Sequence, residues 1–589
     1  YSILYNRYFE HFLLFNFLTF LGCSILLFIP VIAMGATLPI LCRYYVSRMS
    51  NLGTQTGRLY GFNTLGAAAG SMLCGFWLIG CFGMTGTLGI AVAINMLIGL
   101  VCVGAALRLR NTQQTRTTPQ AHHSINREEA LSLDSGTSDL FEVWGALLIF
   151  AVSGFCAMAY EVVWTNLLGL IVGPTTYSFT LILATFITCL ALGSILFGWL
   201  GDKTRRPMLI LLVTQLCAGT LILVVSHVLG NSQLFFSKLI YHYKSNFLLL
   251  HVLKIFLLFL FMLPPCICLG ATFPLVGKIF TRRIQIIGRS IGLAYGINTI
   301  GAVLGSFCAG FILIPYLGKA DSIRLTAAVQ LGTALLIGLF IYLRSSKMRA
   351  RALIIVLLGA AGLSLCWKMP RWNRYVLSKG KYHRFHEIDI NYDRLSWMQA
   401  LWKGTEILGK QREEKLVFSG DGIGGFTCVM EYPDPLGGNR YAMLISGKSD
   451  ASSHGDMRTQ TLSAHLPMLF HPNPKNVMVV GLASGVTAGE VLCYPVDQLD
   501  VLEINKQVVE ASRFFLPWNN QVLKDPRTRL IIQDARAHLQ LTRQTYDVII
   551  SEPSNPWMAG LAALFTCDFF QLARERLKPD GLFVQFFHS

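Results

Sequence analysis

Charged residues are scarce in this sequence. Only 14% of its 589 residues are Asp, Glu, Lys or Arg, whereas 53% are hydrophobic. Globular proteins carry about 25% charged residues, so the composition excludes an ordinary soluble protein of this length. Acidic residues are the rarer sign, 32 against 49 basic ones. Most basic residues flank apolar runs, which is typical of membrane topology signals and argues against nucleic-acid binding.

C-x-x-C pairs are absent, although the chain has 15 cysteines. This absence excludes the common zinc-binding and thioredoxin-like motifs, and we expect no metal site. Many of the cysteines lie in apolar segments, where a thiol packs as a small hydrophobic side chain.

Long apolar runs are abundant in the first 370 residues. Nine segments are long enough for the roughly 20 residues that a membrane span needs, and a tenth, at 352–368, is marginal. The sequence predicts a partial first membrane repeat (1–110), a cytoplasmic linker (111–141), a second membrane repeat (142–345), a marginal last span (346–370), a linker with a small β domain (371–450) and a Rossmann-like domain (451–589).

Two stretches of the apolar region repeat each other. "GRLYGFNTLGAAAGSMLCGF" (57–76) matches "GLAYGINTIGAVLGSFCAGF" (292–311), and "MGATLPIL" (34–41) matches "LGATFPLV" (269–276), at one offset of 235 residues. A duplicated multi-span region is a feature of transporters. The same offset starts the chain inside the first unit, so we expect the natural protein to continue at its N-terminus.

Three polar residues within the apolar segments are functional candidates. Glu161 is costly inside a span and favours a functional role, the alternative being a structural ion pair with Lys254 or an Arg, or a place in the interface. Asn63 and Asn298 occupy matching repeat positions, where an amide bonds a neighbouring helix or lines a cavity.

The last 170 residues have the pattern of a mixed α/β protein. Gly-rich hairpins over 416–449 precede a predicted helix over 457–470, and apolar strands then alternate with helices. Three strands end in an acid, namely Glu503, Asp534 and Glu552. Ligands bind at this carboxyl edge of a parallel sheet.

A glycine turn follows the first of these strands. Gly481 and Gly485 frame Ser484 within "GLASG", and Glu503 lies 22 residues after Gly481. An acid about 20 residues beyond such a turn commonly holds ribose hydroxyls. The sequence therefore predicts a nucleoside site.

These motifs resemble a known family. "KNVMVVGLASGVTAGEVL", "LDVLEINKQVVEASRFFLP", "RLIIQDARAHL" and "YDVIISEPSNPW" are similar to the polyamine aminopropyltransferases, or spermidine synthases. The whole chain resembles bacterial fusions of a multi-span membrane region with such a domain. The resemblance implies decarboxylated S-adenosylmethionine or S-adenosylmethionine as cosubstrate. It implies that Glu503 holds the ribose, Asp534 and Ala535 the adenine, and the turn from Gly481 to Gly485 the sulfonium end.

The sequence departs from the family at several acids. Ser484 stands where the family has the Asp that holds the aminopropyl ammonium, and Asn555 replaces the second Asp of the amine-binding loop. Gln460 stands in place of the His in a Tyr-His pair. Glu552 remains as the catalytic candidate, with Asn555 as amine ligand and Asp456 as support, because an attacking amine needs a proton acceptor.

Several functions remain open at this point. The first is a membrane-bound S-adenosyl-dependent transferase acting on a polyamine or another amine. The second is a polyamine or small-molecule transporter or sensor whose nucleoside-binding domain is not catalytic. The third is a structural subunit of an oligomer or a larger membrane assembly. We expect a multi-pass protein of the bacterial inner membrane, with the side of the soluble domain undecided and further sequence beyond residue 589.

Overall fold

The computed structural model describes residues 12–114, 137–343, 349–384, 390–410, 414–422, 424–435, 437–553, 555–558 and 560–587. Most of the predicted linker 111–141 lies outside these ranges. The chain folds into a long helical part, followed by a small antiparallel sheet and a parallel sheet with flanking helices.

The helical part is built from apolar helices with few charges. They are α1 (Phe12–Tyr45), α2 (Leu52–Leu73), α3 (Ile79–Gln114), α4 (Thr137–Val172), α5 (Thr176–Lys203), α6 (Pro207–Gly230), α7 (Gln233–Tyr243), α8 (Phe247–Gly270), α9 (Thr272–Phe280), α10 (Ile287–Cys308), α11 (Ile314–Leu343) and α12 (Arg349–Lys368).

Seven continuous helical stretches of the described residues are long and apolar enough to cross a membrane. Two of them are about twice the length of a single span, Met49–Arg108 with 60 residues and Ile284–Ile341 with 58. Each of these bends at a glycine with positive φ, Gly83 (φ 66°) and Gly318 (φ 77°). The last apolar helix, Leu353–Lys368, is shorter.

Elements of the two matching stretches have the same bounds at the 235-residue offset. The helix Leu52–Leu73 corresponds to Ile287–Cys308. Each helix continues into a π-helical segment, Cys74–Leu78 and Ala309–Leu313, in the same register. The bends at Gly83 and Gly318 also keep this spacing.

Glycines allow the helices to approach closely. A Cβ at Gly301 would overlap the carbonyl oxygen of Ala151 in α4, and one at Gly305 would overlap that of Phe155. Because only glycine lacks this atom, α10 packs directly on the backbone of α4, as small residues permit in apolar bundles.

A buried hydrogen-bond chain ties four helices together. The Tyr160 hydroxyl donates to Gln330 Oε1 at 2.9 Å, and Gln330 Nε2 donates to Gln215 Oε1 at 2.9 Å. Gln215 Nε2 donates to Thr272 Oγ1 at 3.0 Å, and the Thr272 hydroxyl lies 3.2 Å from that of Ser153. Because each of these buried polar side chains has a partner, this set of hydrogen bonds specifies how α4, α6, α9 and α11 pack.

The second half begins with the short helices α13 (Arg374–Ser378), α14 (Trp397–Trp402) and α15 (Gly404–Lys410). A four-stranded antiparallel sheet in the order β1-β2-β3-β4 follows, with strands β1 (Lys415–Gly422), β2 (Gly425–Pro433), β3 (Asn439–Ile445) and β4 (Lys448–Ser452). Helix α16 covers Met457–Phe470, the range that the sequence predicts.

A five-stranded parallel sheet forms the last layer, in the order β7-β6-β5-β8-β9. Its strands are β5 (Asn476–Val480), β6 (Gln498–Leu502), β7 (Thr528–Ile531), β8 (Tyr546–Ser551) and β9 (Leu577–Gln585). The helices α17 (Val486–Val491), α18 (Lys506–Ala511), α19 (Ala535–Leu541) and α20 (Cys567–Arg576) connect them. Since all five strands are parallel, their carboxyl ends share one edge.

The antiparallel sheet packs on the helix bundle at one end. Lys319, next to the bend at Gly318, forms an ion pair with Asp421 of β1, and its ammonium lies 4.9 Å from the ring centre of Phe426 in β2. The Tyr382 hydroxyl donates to the Ser446 carbonyl at 3.0 Å. One hydrophobic core runs from the bundle into β2 and β3.

The opposite end of the bundle carries the basic loops. Asp202 there accepts the backbone N–H groups of Gly53 at 3.0 Å and Thr54 at 2.6 Å, which caps the start of α2. Lys278 pairs with the same carboxylate at 3.2 Å. The sheets therefore stand at the helix ends that lie away from the basic loops 201–206 and 277–289.

Candidate active site

The glycine turn after β5 brings the parallel strands' loops together. Gly481 has a φ of 87°, and its N–H donates to the Leu502 carbonyl at 2.8 Å. A Cβ at Gly481 would lie 3.3 Å from the Cβ of Glu552 and 3.5 Å from Cδ of Pro553. A side chain there would therefore press on the loop after β8, so the site needs glycine at this position.

Glu503 follows β6 directly and is 8% exposed. Its Oε2 accepts the Leu482 N–H at 3.0 Å, and its Oε1 accepts the Asn505 N–H at 2.9 Å. Burial raises the pKa of the carboxyl, and these backbone hydrogen bonds oppose the rise. Glu503 thus fixes the glycine turn as well as facing the cavity, which the sequence pattern does not reveal.

Asp534 and Ala535 lie beyond β7. The Asp534 carboxylate caps α19 by accepting the Ala537 N–H at 2.8 Å, and the side chain is exposed. Ala535 is buried. The cap leaves lone pairs of the carboxylate available to a ligand.

Glu552 follows β8, which lies next to the central strand β5. Burial raises the pKa of its carboxyl to about 7, and the nearby Asp456 and Asp450 carboxylates reinforce the rise, which a hydrogen bond with Thr487 opposes. Burial likewise raises the pKa of Asp450 to about 7. The edge therefore holds carboxyl groups that gain protons near neutral pH.

Asn555 is engaged by two residues of β4. Its side chain is 0% exposed, its Oδ1 accepts a hydrogen bond from Lys448 Nζ, and its Nδ2 donates to Asp450 Oδ1 at 3.2 Å. The Lys448 ammonium also lies 5.0 Å from the ring centre of Trp557. Burial lowers the pKa of Lys448, against the attraction of Asp450. The amide predicted to bind a substrate amine thus already binds a protein ammonium.

A cavity of about 430 Å³ lies at the carboxyl edge of the parallel sheet. Five of the predicted site residues line it, namely Gly481, Glu503, Asp534, Ala535 and Glu552. Five others do not, namely Ser484, Gly485, Gln460, Asp456 and Asn555.

Three of the predicted residues that do not line the cavity, Ser484, Gln460 and Asp456, form hydrogen bonds with one another or with Ser452. The Ser484 hydroxyl donates to Gln460 Oε1, and Gln460 Nε2 donates to the Ser452 carbonyl at 3.2 Å. Asp456 accepts from the Ser452 hydroxyl. Gly485 has a φ of 83° and precedes α17. These contacts stabilise the glycine turn after β5, and the side chains that make them do not line the cavity.

The three candidates in the apolar helices lie elsewhere. Glu161 is partly exposed and has no hydrogen-bond or ion-pair partner among the described residues, and Lys254 instead donates to the Val172 carbonyl at 3.1 Å. Asn298 Nδ2 donates to the Phe150 carbonyl at 2.9 Å, so it bonds a neighbouring helix. Asn63 is exposed.

Sequence reasoning missed two groups of site residues. Lys448 and Asp450 are two residues apart in β4 and both contact Asn555, and two charges at i, i+2 on a predicted strand are the signal that could have found them. The second group comes from the ends of α4 and α5 and has no local signal. Among the described residues, no cluster of His, Cys, Asp and Glu is suited to a metal ion.

We predict that Lys448→Ala destabilises the protein and that propylamine restores it. The substitution removes a propylammonium-sized group and leaves Asn555 and Asp450 without their cation, at a cost of about 1–3 kcal/mol. The measurement is the thermal unfolding midpoint of the full chain with added propylamine, or with propanol as the uncharged analogue.

Lys415→Ala is the matched control, because the side chain of Lys415 is 78% exposed. We expect its midpoint to respond to neither compound. A Lys448→Ala protein as stable as the wild type, or one that propanol restores equally well, would contradict the assigned contact.

Three comparisons with known proteins bear on this site. The family model described as spermine/spermidine synthase domain matches residues 457–587. A polyamine aminopropyltransferase from Thermotoga petrophila is 28% identical over 198 residues, which are 33% of this chain and 66% of that protein. Putrescine N-methyltransferase 2 from Nicotiana tabacum is 31% identical over 189 residues, 32% of this chain and 52% of that protein.

A crystal structure of spermidine synthase in complex with the transition state analogue AdoDATO is similar at 29% identity. The match covers 29% of this chain and 57% of that one, with a TM-score of 0.27. The chain spans between about half and just under two thirds of the curated relatives that it matches. The family model and the curated relatives show that the chain contains a spermidine synthase-like domain of the aminopropyl- and methyltransferase type, in the part that holds the parallel sheet.

Proposed function

We propose that the chain is a membrane-bound transferase that moves an alkyl group from an S-adenosyl sulfonium to an amine. The observation that carries this proposal is the shared cavity faced by Gly481, Glu503, Asp534, Ala535 and Glu552. A nucleoside fits the carboxyl edge of a parallel sheet. Glu503 and Asp534 have the acceptor oxygens for its ribose and its adenine amine.

The chemistry requires one proton acceptor. The amine nitrogen attacks the carbon attached to the sulfonium, a C–N bond forms as the C–S bond breaks, and a neutral thioether leaves. The amine must lose a proton, and Glu552 is the carboxylate of the strand-end loop that lines the cavity. A base with a pKa of about 7 is matched to neutral pH.

The transferred group is aminopropyl, from decarboxylated S-adenosylmethionine, or methyl, from S-adenosylmethionine. Ser484 turns to Gln460 and places no carboxylate at the sulfonium end, which removes a feature that would select an ammonium. This observation favours methyl transfer as the second candidate. Calorimetric titration of both donors into the full chain separates the two.

A non-catalytic domain is the competing proposal. Lys448 already holds Asn555 and lies beside Asp450, so an internal cation occupies the position predicted for the substrate amine. That contact favours a transporter or sensor that binds a nucleoside without turnover, or a subunit of a larger assembly. Measured turnover of an amine would exclude this alternative.

We further propose that the helical part spans the bacterial inner membrane as a duplicated unit. Its support is the length and apolarity of the seven helical stretches, and the elements that recur at one offset. About 18 Lys and Arg residues lie in one set of loops and about four in the other, so the positive-inside rule assigns the first set to the cytoplasm.

We propose that the soluble domain lies on the face opposite these basic loops. The support is that Lys319, Tyr382 and the turn at 173–175 meet the sheets at the helix ends away from the basic loops.

We predict that Glu503→Ala abolishes nucleoside binding. The carboxylate lines the cavity, and a charged hydrogen bond to a ribose hydroxyl contributes about 1.5–3 kcal/mol, so the loss of two such bonds lowers affinity by roughly 100-fold or more. The measurement is calorimetric titration of S-adenosylmethionine and of its decarboxylated form. The thermal midpoint should fall as well.

Glu510→Ala is the control, since Glu510 is exposed on α18. If the Glu503 variant binds like the wild type, the strand edge is wrongly assigned. If the wild type binds neither donor, the transferase proposal fails.

We predict that Glu552→Gln lowers the transfer rate by about 10²–10⁴, the usual contribution of one general base. The wild-type rate should be highest above pH 7 and fall as the pH drops through about 7, because the raised pKa leaves Glu552 protonated there. The measurement is product formation by mass spectrometry across pH.

The Gln variant should retain donor affinity and lose this pH dependence. Glu510→Gln should keep both the rate and the profile. A Glu552→Gln protein with a wild-type rate would assign the proton to another group.

We predict that Cys493 and Cys567 react with a membrane-impermeant maleimide in intact cells. Both thiols are exposed on the soluble domain, which we propose lies on the outer face. An Arg205→Cys marker in the basic loop should react only after permeabilisation. The reverse pattern would assign the soluble domain to the cytoplasm, where S-adenosyl cosubstrates are made.

A further inference from the structure

The cavity has a second wall that the nucleoside does not explain. Residues from the ends of α4 and α5 and the turn between them line it. Thr165 lies seven residues before the end of α4 at Val172, so the cavity extends about 10 Å below the helix end. It thus reaches into the apolar bundle.

A backbone β-bridge joins the helix wall of the cavity to the sheet wall. Thr175, in the turn before α5, forms an antiparallel bridge with Met558, which follows the loop of Glu552 and Asn555. This bridge holds the loop after β8 against the turn between α4 and α5. The cavity between them is therefore formed by the helices and the sheet domain together.

The cavity is polar at one end and mostly apolar at the other. Asp450, Glu503 and Glu552 line the sheet end. The helix side is lined by the apolar residues Leu170, Phe179 and Ile182, beside the uncharged polar residues Thr165, Asn166 and Thr175. An occupant that satisfies both ends has a charged or polar head and an apolar tail.

The apolar end opens to the side of the bundle. Asn166 of α4 is exposed, and Phe179 of α5 is 48% exposed, although both line the cavity. Gly169 lies on α4 between Thr165 and Val172. The only atom within 4 Å of an added Cβ at Gly169 would be Pro174 Cα, at 3.9 Å, so there is space beside this glycine. This side of the cavity is therefore accessible from the surroundings of α4 and α5, which the proposed membrane span fills with lipid.

We propose that the acceptor is a membrane-resident primary amine, which enters between α4 and α5 with its head toward Glu552 and its tail along Leu170, Phe179 and Ile182. This inference rests on the proposed transferase function. The step is the one already described: the amine nitrogen forms the C–N bond, the C–S bond breaks, the thioether leaves, and Glu552 takes the proton.

The test compares dodecylamine with butylamine, which share a head and differ in tail. The full chain in nanodiscs is given an S-adenosyl donor, and kcat/KM is measured for each amine by mass spectrometry. We expect dodecylamine to be preferred. Gly169→Leu fills the apolar end and should lower the ratio of the dodecylamine to the butylamine value by about tenfold.

Two further variants keep the test decisive. Gly296→Leu is the matched control, because Gly296 lies on α10 with nothing within 4 Å of an added Cβ. Phe179→Ala removes part of the apolar wall without filling it and should also lower the preference for dodecylamine.

The two levels of the proposal fail differently. Equal kcat/KM for both amines, unaffected by Gly169→Leu, would overturn the membrane acceptor while the transferase stands. Donor binding without turnover of either amine would overturn the amine acceptor and this inference together. Absence of donor binding would overturn the proposed function itself.

Discussion

The buried ion pair between Lys319 and Asp421 is the constraint on which the rest of the arrangement depends. The two side chains are only 7% and 13% exposed, and Lys319 also lies against Phe426. Removing one member of such a pair leaves an uncompensated charge and typically costs about 3–5 kcal/mol, so the contact tolerates little displacement. The cavity needs that precision, because one of its walls belongs to the helices and the other to the sheets.

Local sequence pattern predicted the parallel sheet well. Apolar runs bounded by Gly, Pro and acids mark β5, β6, β7 and β8, and helix α16 has its predicted bounds. The acids at the strand ends followed directly, since the carboxyl ends of parallel strands share an edge. The sequence alone therefore predicts Glu503, Asp534 and Glu552 as site candidates. It does not predict the backbone hydrogen bonds that Glu503 accepts.

Contacts between distant segments could not be predicted in this way. Lys448 and Asp450 meet Asn555 across more than 100 residues, and the turn at Thr175 meets Met558 across a larger separation still. These contacts depend on how the sheets pack on the bundle, which periodicity does not encode. They change the electrostatics of the site, because they put one ammonium among carboxyls whose burial otherwise favours the protonated form.

The two glycine bends differ in the residue that comes next in the chain. Lys319 comes directly after Gly318, whereas Met84, which is 77% exposed, comes directly after Gly83. One corner thus carries a charged anchor and the equivalent corner an apolar side chain. Of these two bends, the one at Gly318 therefore presents a cation to the antiparallel sheet, and the bend at Gly83 has no charged side chain at the matching position.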